Sequence, residues 1–595
     1  MSKHSPDDLT HDAGRRALFR KLGAASALIG APAVINFADS QAAERGWDRE
    51  TDIVIVGSGA SGSSAALFAK RAGADSIILE RLPIRGGTSA KSAAILWVPN
   101  NSAMRALGIE DPKQDAMKYM IRFSYPMKYH PDAERYGATE LEYALIEAFY
   151  DNAAQTIDDL AAMGALQTGS IYTWEDELFA DYHPEVPEEK APRGRALVPR
   201  HPDPSQGVYS RGGGNGVELM RQLGAAVDAQ GIPVLTKHRV ERVIRNADGA
   251  VIGVEARLRD GGTVTVRARK AVIFASGGFT HNLEYRQNYL RGPIFGGCAM
   301  PGSEGDFIRV GGAIGAAMGN LANAWWTQHV LEHALEFSST PTGIWSTPGD
   351  SMLQVDKYGR RLMNEKGNYN ERTQIHFIFD PVRNEYRNLV SFLIFDKPCL
   401  ENYAGMYPFP AEGTELPPYV LQAATLDELA QAIGQRLAHH AQRLAGFSLD
   451  ASFTATLKET IARFNAMAKA GKDLEFARGE SAIERDFHLF GATKKPASMG
   501  PPNISMKPLT ESGPYYCVLL CGGTLDTKGG PKVNTAMRVL DTYGAEIPGL
   551  YAVGNCTAHP AGEAYWAAGG TLGPGLTMGR IAGTNAAAEK TREPA

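Results

Sequence analysis

The segment Asp52–Glu80 constrains this chain more than any other. Ile53-Val54-Ile55-Val56 is an unbroken β-branched run, the pattern of a strand covered on both faces of a parallel sheet, and Gly57-Ser58-Gly59-Ala60-Ser61-Gly62 follows at once. Ser63–Ala72 reads as a helix, and Ser76-Ile77-Ile78-Leu79 as a second strand ending on Glu80. Each glycine has its own task. Gly57 permits a tight turn, Gly59 lets a pyrophosphate approach the backbone, and Gly62 lets the helix pack on the strand. The helix start offers free N–H groups and a favourable dipole to the phosphates, and Glu80 stands where an acid binds a ribose hydroxyl. Strand, glycines, helix, strand and acid in this order predict a dinucleotide site.

The same logic recurs downstream. Ala271-Val272-Ile273-Phe274 leads into Gly277-Gly278 behind a β-rich stretch, Val240–Val266, that turns at Ala247-Asp248-Gly249. Gly549–Asn555 is again a strand entering a glycine, and Gly569-Gly570-Thr571-Leu572-Gly573-Pro574-Gly575 opens a last helix reaching towards Ala588, whose first N–H groups suit the electron-rich edge of a reduced flavin. The double glycine in Gly86-Gly87-Thr88-Ser89-Ala90-Lys91-Ser92 resembles the flavoprotein loop that runs along the pyrophosphate. It points to FAD, held non-covalently, rather than NAD. The expected cofactor contacts are Gly57, Ser58, Gly59, Ala60, Ser61, Gly62, Glu80, Arg81, Gly87, Thr88, Ser89, Ser92, Val240, Gly277, Gly554, Asn555, Gly570, Thr571 and Leu572.

A chain of 595 residues exceeds one ordinary domain of ~100–200 residues. The expected fold class is α/β: a Rossmann-like FAD-binding domain split into 46–322 and 511–595, with an α+β capping domain, 323–510, between the halves. Leu426–Leu444 and Phe453–Ala470 read as amphipathic helices of that cap. With 44% apolar and 21% charged residues, the disordered and collagen-like classes are excluded. A net charge of −5 without a Lys/Arg stripe excludes a nucleic-acid partner. Five cysteines, Cys298, Cys399, Cys517, Cys521 and Cys556, form no disulfide framework, and no zinc ligand set surrounds Cys517 and Cys521.

Residues 1–45 read as an export signal. Arg15-Arg16-Ala17-Leu18-Phe19-Arg20 resembles the twin-arginine signal, and the apolar run Leu22–Ile35 after it is too short to span a bilayer. Small-residue cleavage contexts follow at Ala31-Pro32-Ala33 and Asp39–Ala43. The expected location is the periplasm, with no stable transmembrane segment.

From Asp52 to the C-terminus the chain resembles the fumarate reductase and 3-ketosteroid dehydrogenase flavoprotein superfamily, and within it the 3-ketosteroid Δ1-dehydrogenases. Four stretches carry the likeness: Gly86–Asn100 with its Trp97-Val98-Pro99-Asn100, Phe179-Ala180-Asp181-Tyr182-His183-Pro184-Glu185, Gly359-Arg360-Arg361-Leu362-Met363-Asn364-Glu365 continuing to Tyr369, and Tyr565–Gly579. Fumarate reductases carry arginines and a histidine where this chain has Tyr369 and Tyr565. A tyrosine does not match a carboxylate as an arginine fork does, so a dicarboxylate substrate is disfavoured, although Arg372 lies three residues beyond Tyr369.

The resemblance implies roles. Tyr565 O–H and the Gly569 N–H would hold a ketone oxygen, which is oxyanion stabilisation in kind. Tyr369 would take the α-proton, Tyr182 would hydrogen-bond Tyr369 and favour its phenolate, and the flavin would accept hydride. A free tyrosine has a pKa of about 10, so that phenolate needs support. Of the aromatics Phe179, Trp325, Trp326, Trp345 and Trp566, Phe179 and Trp566 are expected to contact substrate. The family usually places Pro or Ala after the C-terminal tyrosine, so Trp566 would narrow the pocket. These readings predict a dehydrogenase that forms a C=C bond beside the carbonyl of a cyclic ketone, above all a 3-ketosteroid, with an external electron acceptor. A smaller alicyclic ketone, enoate reduction of the fumarate reductase type and a flavin-binding protein without turnover are the alternatives.

Overall fold

The computed structural model describes residues 46–173, 175–490 and 502–593. The expected export signal, with Arg15 and Arg16, lies outside the described residues.

Buried β-branched runs form the first sheet. Strand β1 (Arg49–Val56) is fully covered from Ile53 onward, and helix α1 (Ala60–Arg71) leaves its end and returns the chain to β2 (Ser76–Leu79). β2 lies parallel to β1, with Ile53 opposite Ser76 and Val56 opposite Leu79. On the other side of β1 lies β3 (Thr263–Phe274), also parallel, with Val54 opposite Val272 and Val56 opposite Phe274. The expected β-rich stretch is an antiparallel addition to β3, made by His238–Arg245 and Val251–Leu258.

A second sheet of six strands stands beside this one. Its strands include β4 (Ala324–Val330), Met352–Val355, Val390–Asp396 and Val420–Ala423. Helices α2 (Tyr369–Thr373) and α3 (Ala482–Phe490) branch from this region. The long strand β5 (Tyr515–Thr527) pairs antiparallel with β4, with Val390–Asp396 and with Val420–Ala423. Alternation along β5 divides two cores. Cys517, Leu519 and Cys521 face the helices Leu426–His439 and Phe453–Ala470, while Val518 and Leu520 pack with Tyr403 and Phe409. The first of these helices ends at His439, five residues before the expected Leu444, and the second has the expected bounds.

After β5 the chain crosses back. Strand β6 (Glu546–Ala552) adds parallel to β3, with Leu550 opposite Val272 and Ala552 opposite Phe274. Helix α4 (Leu572–Ala587) then packs on α1, where Ser64 Oγ donates to the Leu576 carbonyl at 2.7 Å. The first sheet therefore draws strands from both ends of the described chain. No helix among the described residues is long and apolar enough to cross a membrane.

Candidate active site

At the C-terminal ends of β1, β3 and β6, where α/β sheets bind ligands, a cavity opens with about 1980 Å³ of space, counted out to its mouth. Its floor is the glycine turn. Gly57 has φ +110°, and a Cβ on Gly62 would stand 2.0 Å from the Gly57 carbonyl oxygen, so helix and strand touch as the motif requires. Gly59 caps α1 without a side chain, which leaves a helix start facing the cavity as an anion site. Glu80 is buried at the end of β2. One of its oxygens accepts from the Ser58 N–H at 3.1 Å and from Ser58 Oγ at 2.6 Å, and the other accepts from the Leu82 N–H at 2.8 Å. Ser89 Oγ accepts from the Ala60 N–H at 3.0 Å, joining the second glycine loop to the first.

Seventeen of the nineteen expected cofactor residues line this one cavity: Gly57, Ser58, Gly59, Ala60, Ser61, Glu80, Arg81, Gly87, Thr88, Ser89, Ser92, Val240, Gly277, Gly554, Asn555, Thr571 and Leu572. Gly62 and Gly570 lie behind the lining. Gly62 serves the α1–β1 contact, and a Cβ on Gly570 would face the Tyr565 ring at 3.2 Å. Residues not anticipated complete the wall, among them Ser276, Met300, Asp526, Lys91 and Cys298. Asp526 accepts from the Gly278 N–H at 3.1 Å, from Ser303 Oγ at 2.6 Å and from Asn555 Nδ2 at 3.3 Å. Cys298 gives no sequence signal, since a lone cysteine in a loop is not distinguished from a core residue.

Beyond the glycines the cavity ends in three tyrosines. Tyr182 Oη and Tyr369 Oη are hydrogen-bonded at 2.7 Å. Tyr565 sets its ring edge-on to both, with centroids 5.3 Å from Tyr182 and 5.4 Å from Tyr369, and its hydroxyl accepts from Thr571 Oγ1 at 3.4 Å. Tyr369 opens α2 directly after Asn368, whose side chain caps that helix, so the ring leaves a fixed helix start. Gly569 lies beside them with φ +94°. Its carbonyl accepts from the Trp97 N–H at 3.1 Å, and a Cβ there would stand 2.4 Å from that nitrogen, so only glycine fits. Burial pushes the Tyr182 and Tyr369 phenols well above the ordinary tyrosine value and raises Tyr565 too. The expected Tyr182–Tyr369 hydrogen bond is present, while the dry surroundings oppose the phenolate.

Phe179 lines the cavity as expected. Trp566 does not, which corrects the expectation that it narrows the pocket. Its indole is fully buried on the far side of the loop, stacked on Phe149 at 5.7 Å and tilted against Trp97 at 5.3 Å, with Nε1 donating to the Met120 carbonyl and to Ser124 Oγ. Trp326 is likewise core, edge-on to Phe377 at 4.8 Å. The narrowing residues are Phe487 on α3, Trp345 and Trp325. Phe487 lies 5.5 Å from Tyr182, 6.0 Å from Tyr369 and 5.9 Å from Phe179, and Trp325 lies 4.7 Å from Tyr565. Phe487 sits on an amphipathic helix four residues from buried Ile483, so its sequence context reads only as core.

Arg372 is buried and does not line the cavity. Its Nε donates to Gln328 Oε1 at 3.1 Å, and its terminal nitrogens donate to the Glu365, Gly367 and Ile344 carbonyls at 3.2, 3.0 and 2.5 Å. That guanidinium is spent on the backbone rather than offered to a carboxylate.

A split parallel sheet, a glycine cradle at its strand ends and a polar cluster at the far end of the same cavity define a flavin-dependent oxidoreductase. The chain belongs to the FAD-binding family, whose FAD binding domain matches residues 52–572. It is 31% identical to a 4-oxocyclohexanecarboxylate 2-dehydrogenase of Sinomonas cyclohexanicum, covering 91% of this chain and 94% of the relative. It is 29% identical to a 3-oxosteroid 1-dehydrogenase of Mycolicibacterium smegmatis, covering 91% and 98%. The crystal structure of 3-ketosteroid Δ1-dehydrogenase from Sterolibacterium denitrificans in complex with 1,4-androstadiene-3,17-dione aligns with a TM-score of 0.75 at 25% identity, covering 91% of this chain and all of that one. The cofactor is FAD, and the cradle fits it: Gly57 and Gly59 leave the backbone open to a pyrophosphate, and the helix start supplies its counter-dipole.

Proposed function

We propose that this chain is a dehydrogenase that introduces a C=C bond next to the carbonyl of a cyclic ketone, with a 3-ketosteroid as its substrate. The observation that carries this is the three-tyrosine cluster at the end of the cavity beyond the glycine cradle, walled there by Phe179, Trp345 and Phe487, with Arg372 withdrawn from it. Tyr565 O–H and the Gly569 N–H hold the ketone oxygen and stabilise the enolate as it forms. Tyr369 Oη removes the α-proton, and Tyr182, within 2.7 Å, shares the charge that develops there. The aromatic wall excludes water from the exchange. Bound FAD supplies the acceptor for the hydride that leaves the β-carbon, and an external electron acceptor completes the turnover.

The same chemistry on a single-ring ketone is the second reading. It is favoured by the bulk of Phe487 and Trp345 over the tyrosines and by the 31% identity to a dehydrogenase named for a cyclohexane substrate. Reduction of a dicarboxylate has weaker support, because Arg372 spends its donors on carbonyls. The paired arginines Arg15-Arg16 support export of the folded, flavin-loaded protein to the periplasm.

Anaerobic titration of the flavin-loaded protein tests both substrate readings. A 3-keto-4-ene steroid is expected to bleach the flavin absorbance in a single turnover. Bleaching by a substituted cyclohexanone alone would select the single-ring reading, and bleaching by neither sinks the proposal.

A further inference from the structure

Behind Tyr182 lies a group of charges that the chemistry above does not use. Arg195 donates from Nε and one terminal nitrogen to the two oxygens of Asp111, each at 2.8 Å. Its other terminal nitrogen donates to Asp181 Oδ2 at 2.5 Å and to Glu189 Oε2 at 2.7 Å. All four side chains are at most 1% exposed. Three carboxylates on one guanidinium would leave two uncompensated negative charges in a dry interior, an arrangement whose desolvation cost is relieved by taking up a proton. Asp111 has its fork-to-fork pair with Arg195 and a third hydrogen bond from the Asn100 N–H at 2.8 Å, so it is the best satisfied as an anion. Asp181 and Glu189 share a single guanidinium nitrogen, and a proton on one of them removes their repulsion. Burial pushes the Asp181 carboxyl well above the usual carboxylate range, and Glu189 adds to the shift.

Asp181 touches both halves of the site through other groups. It precedes Tyr182 in the chain, and its Oδ1 accepts from Trp97 Nε1 at 2.9 Å. The Trp97 N–H in turn holds the Gly569 carbonyl. The guanidinium of Arg195 lies against the Trp97 and Tyr119 rings, at 5.4 and 5.6 Å, and Tyr119 Oη holds the Trp566 carbonyl at 2.6 Å. That carbonyl also accepts from the Tyr182 N–H at 3.1 Å. One buried cluster therefore braces the residue beside the base and the residue that meets the ketone oxygen.

We propose that Asp181 is a positioning residue: it fixes Tyr182 through the chain and Gly569 through Trp97, and it does so as a neutral carboxylic acid carrying the proton that the Arg195 cluster needs. The proposal rests on the roles given to Tyr182 and Gly569 above. Its two parts are tested on the flavin-loaded protein. The infrared difference spectrum of wild type minus Asp181→Asn at neutral pH is expected to contain the carbonyl band of a buried protonated carboxyl group that shifts in heavy water. Absence of that band overturns the neutral-acid assignment whether or not a ketone is turned over. Asp181→Asn, which mimics the neutral acid and keeps an acceptor for Trp97, is expected to keep kcat near wild type. Asp181→Ala is expected to lower kcat by up to about a hundredfold with KM and flavin content little changed, as a small misplacement of reacting groups does. Equal kcat in the alanine variant and wild type overturns the positioning role, as does an equal loss in both variants. Failure of every ketone to bleach the flavin would remove the proposed reaction while leaving the infrared result to decide the protonation.

Discussion

Tyr182 and Tyr369 meet hydroxyl to hydroxyl at 2.7 Å across 187 residues of chain, one on an irregular segment just after the Ala180–Arg193 bridge and the other at the start of α2. Burial raises both phenols, so the proton-accepting form of Tyr369 gains population only as the pH rises. The rate of ketone oxidation is therefore expected to climb towards alkaline pH. Tyr369→Phe should lower kcat by about 10²–10⁴-fold with flavin content intact. Tyr182→Phe should cost less and displace the rising limb, because the two hydroxyls are hydrogen-bonded at 2.7 Å and Tyr182 shifts the Tyr369 phenol. A pH profile of kcat/KM on the three proteins checks this, and an unchanged limb in Tyr182→Phe would argue against the pairing.

Trp566 is a stability residue. Trp566→Phe removes the indole N–H that serves Met120 and Ser124 and opens space beside Trp97 and Phe149, at a cost of about 2 kcal/mol. The denaturant midpoint should fall while KM for the ketone stays within error. A changed KM with unchanged stability would return this residue to the pocket.

The cradle is expected to reject even one methyl group at Gly62. A Cβ there would stand 2.0 Å from the Gly57 carbonyl, so Gly62→Ala forces α1 away from β1 and costs about 1–3 kcal/mol. The ratio of flavin to protein absorbance in the purified variant should drop. Full flavin content would show that the helix start tolerates the shift.

Glu484 on α3 accepts from Asn364 Nδ2 at 2.7 Å and from the Gly479 N–H at 2.5 Å, and burial pushes its carboxyl up to about 7 from an ordinary 4.5. Between those values the folded protein binds more protons than the unfolded chain, so this group's contribution to stability falls as pH rises from about 4.5 to about 7. Glu484→Gln should remove that part of the slope. Thermal midpoints measured across the interval in both proteins decide it, and parallel slopes would count against the assignment.

What could be read in advance follows from how local the information is. β1, the glycine turn and α1 are written in consecutive residues, because a strand buried on both faces and a helix start at a phosphate each demand a fixed local pattern. Tyr182, Tyr369 and Tyr565 were reachable only through resemblance, since spacing alone does not bring them together. The second sheet left little trace, because Val390–Asp396 is buried on both faces and shows no alternation. Trp566 was misplaced for a simple reason: neighbours in a non-helical stretch point opposite ways, so the residue after Tyr565 faces Trp97 and Phe149 rather than the cavity. Phe487 reaches the tyrosines from 78 residues upstream of Tyr565, a distance that no local pattern spans.

The split of the first sheet also sets an order of events during synthesis. Gly57 and Gly59 emerge early from the ribosome, but their cavity is closed by Gly554, Asn555, Thr571 and Leu572, and α1 gains its most extensive packing partner, α4, only at the end. A nascent chain that stops before Glu546 has half a cradle and an uncovered β3. Flavin loading is therefore a late event, completed after β6 and α4 have left the exit tunnel, and the roughly fifty residues from Glu546 onward act as the latch that commits the apoprotein to its cofactor.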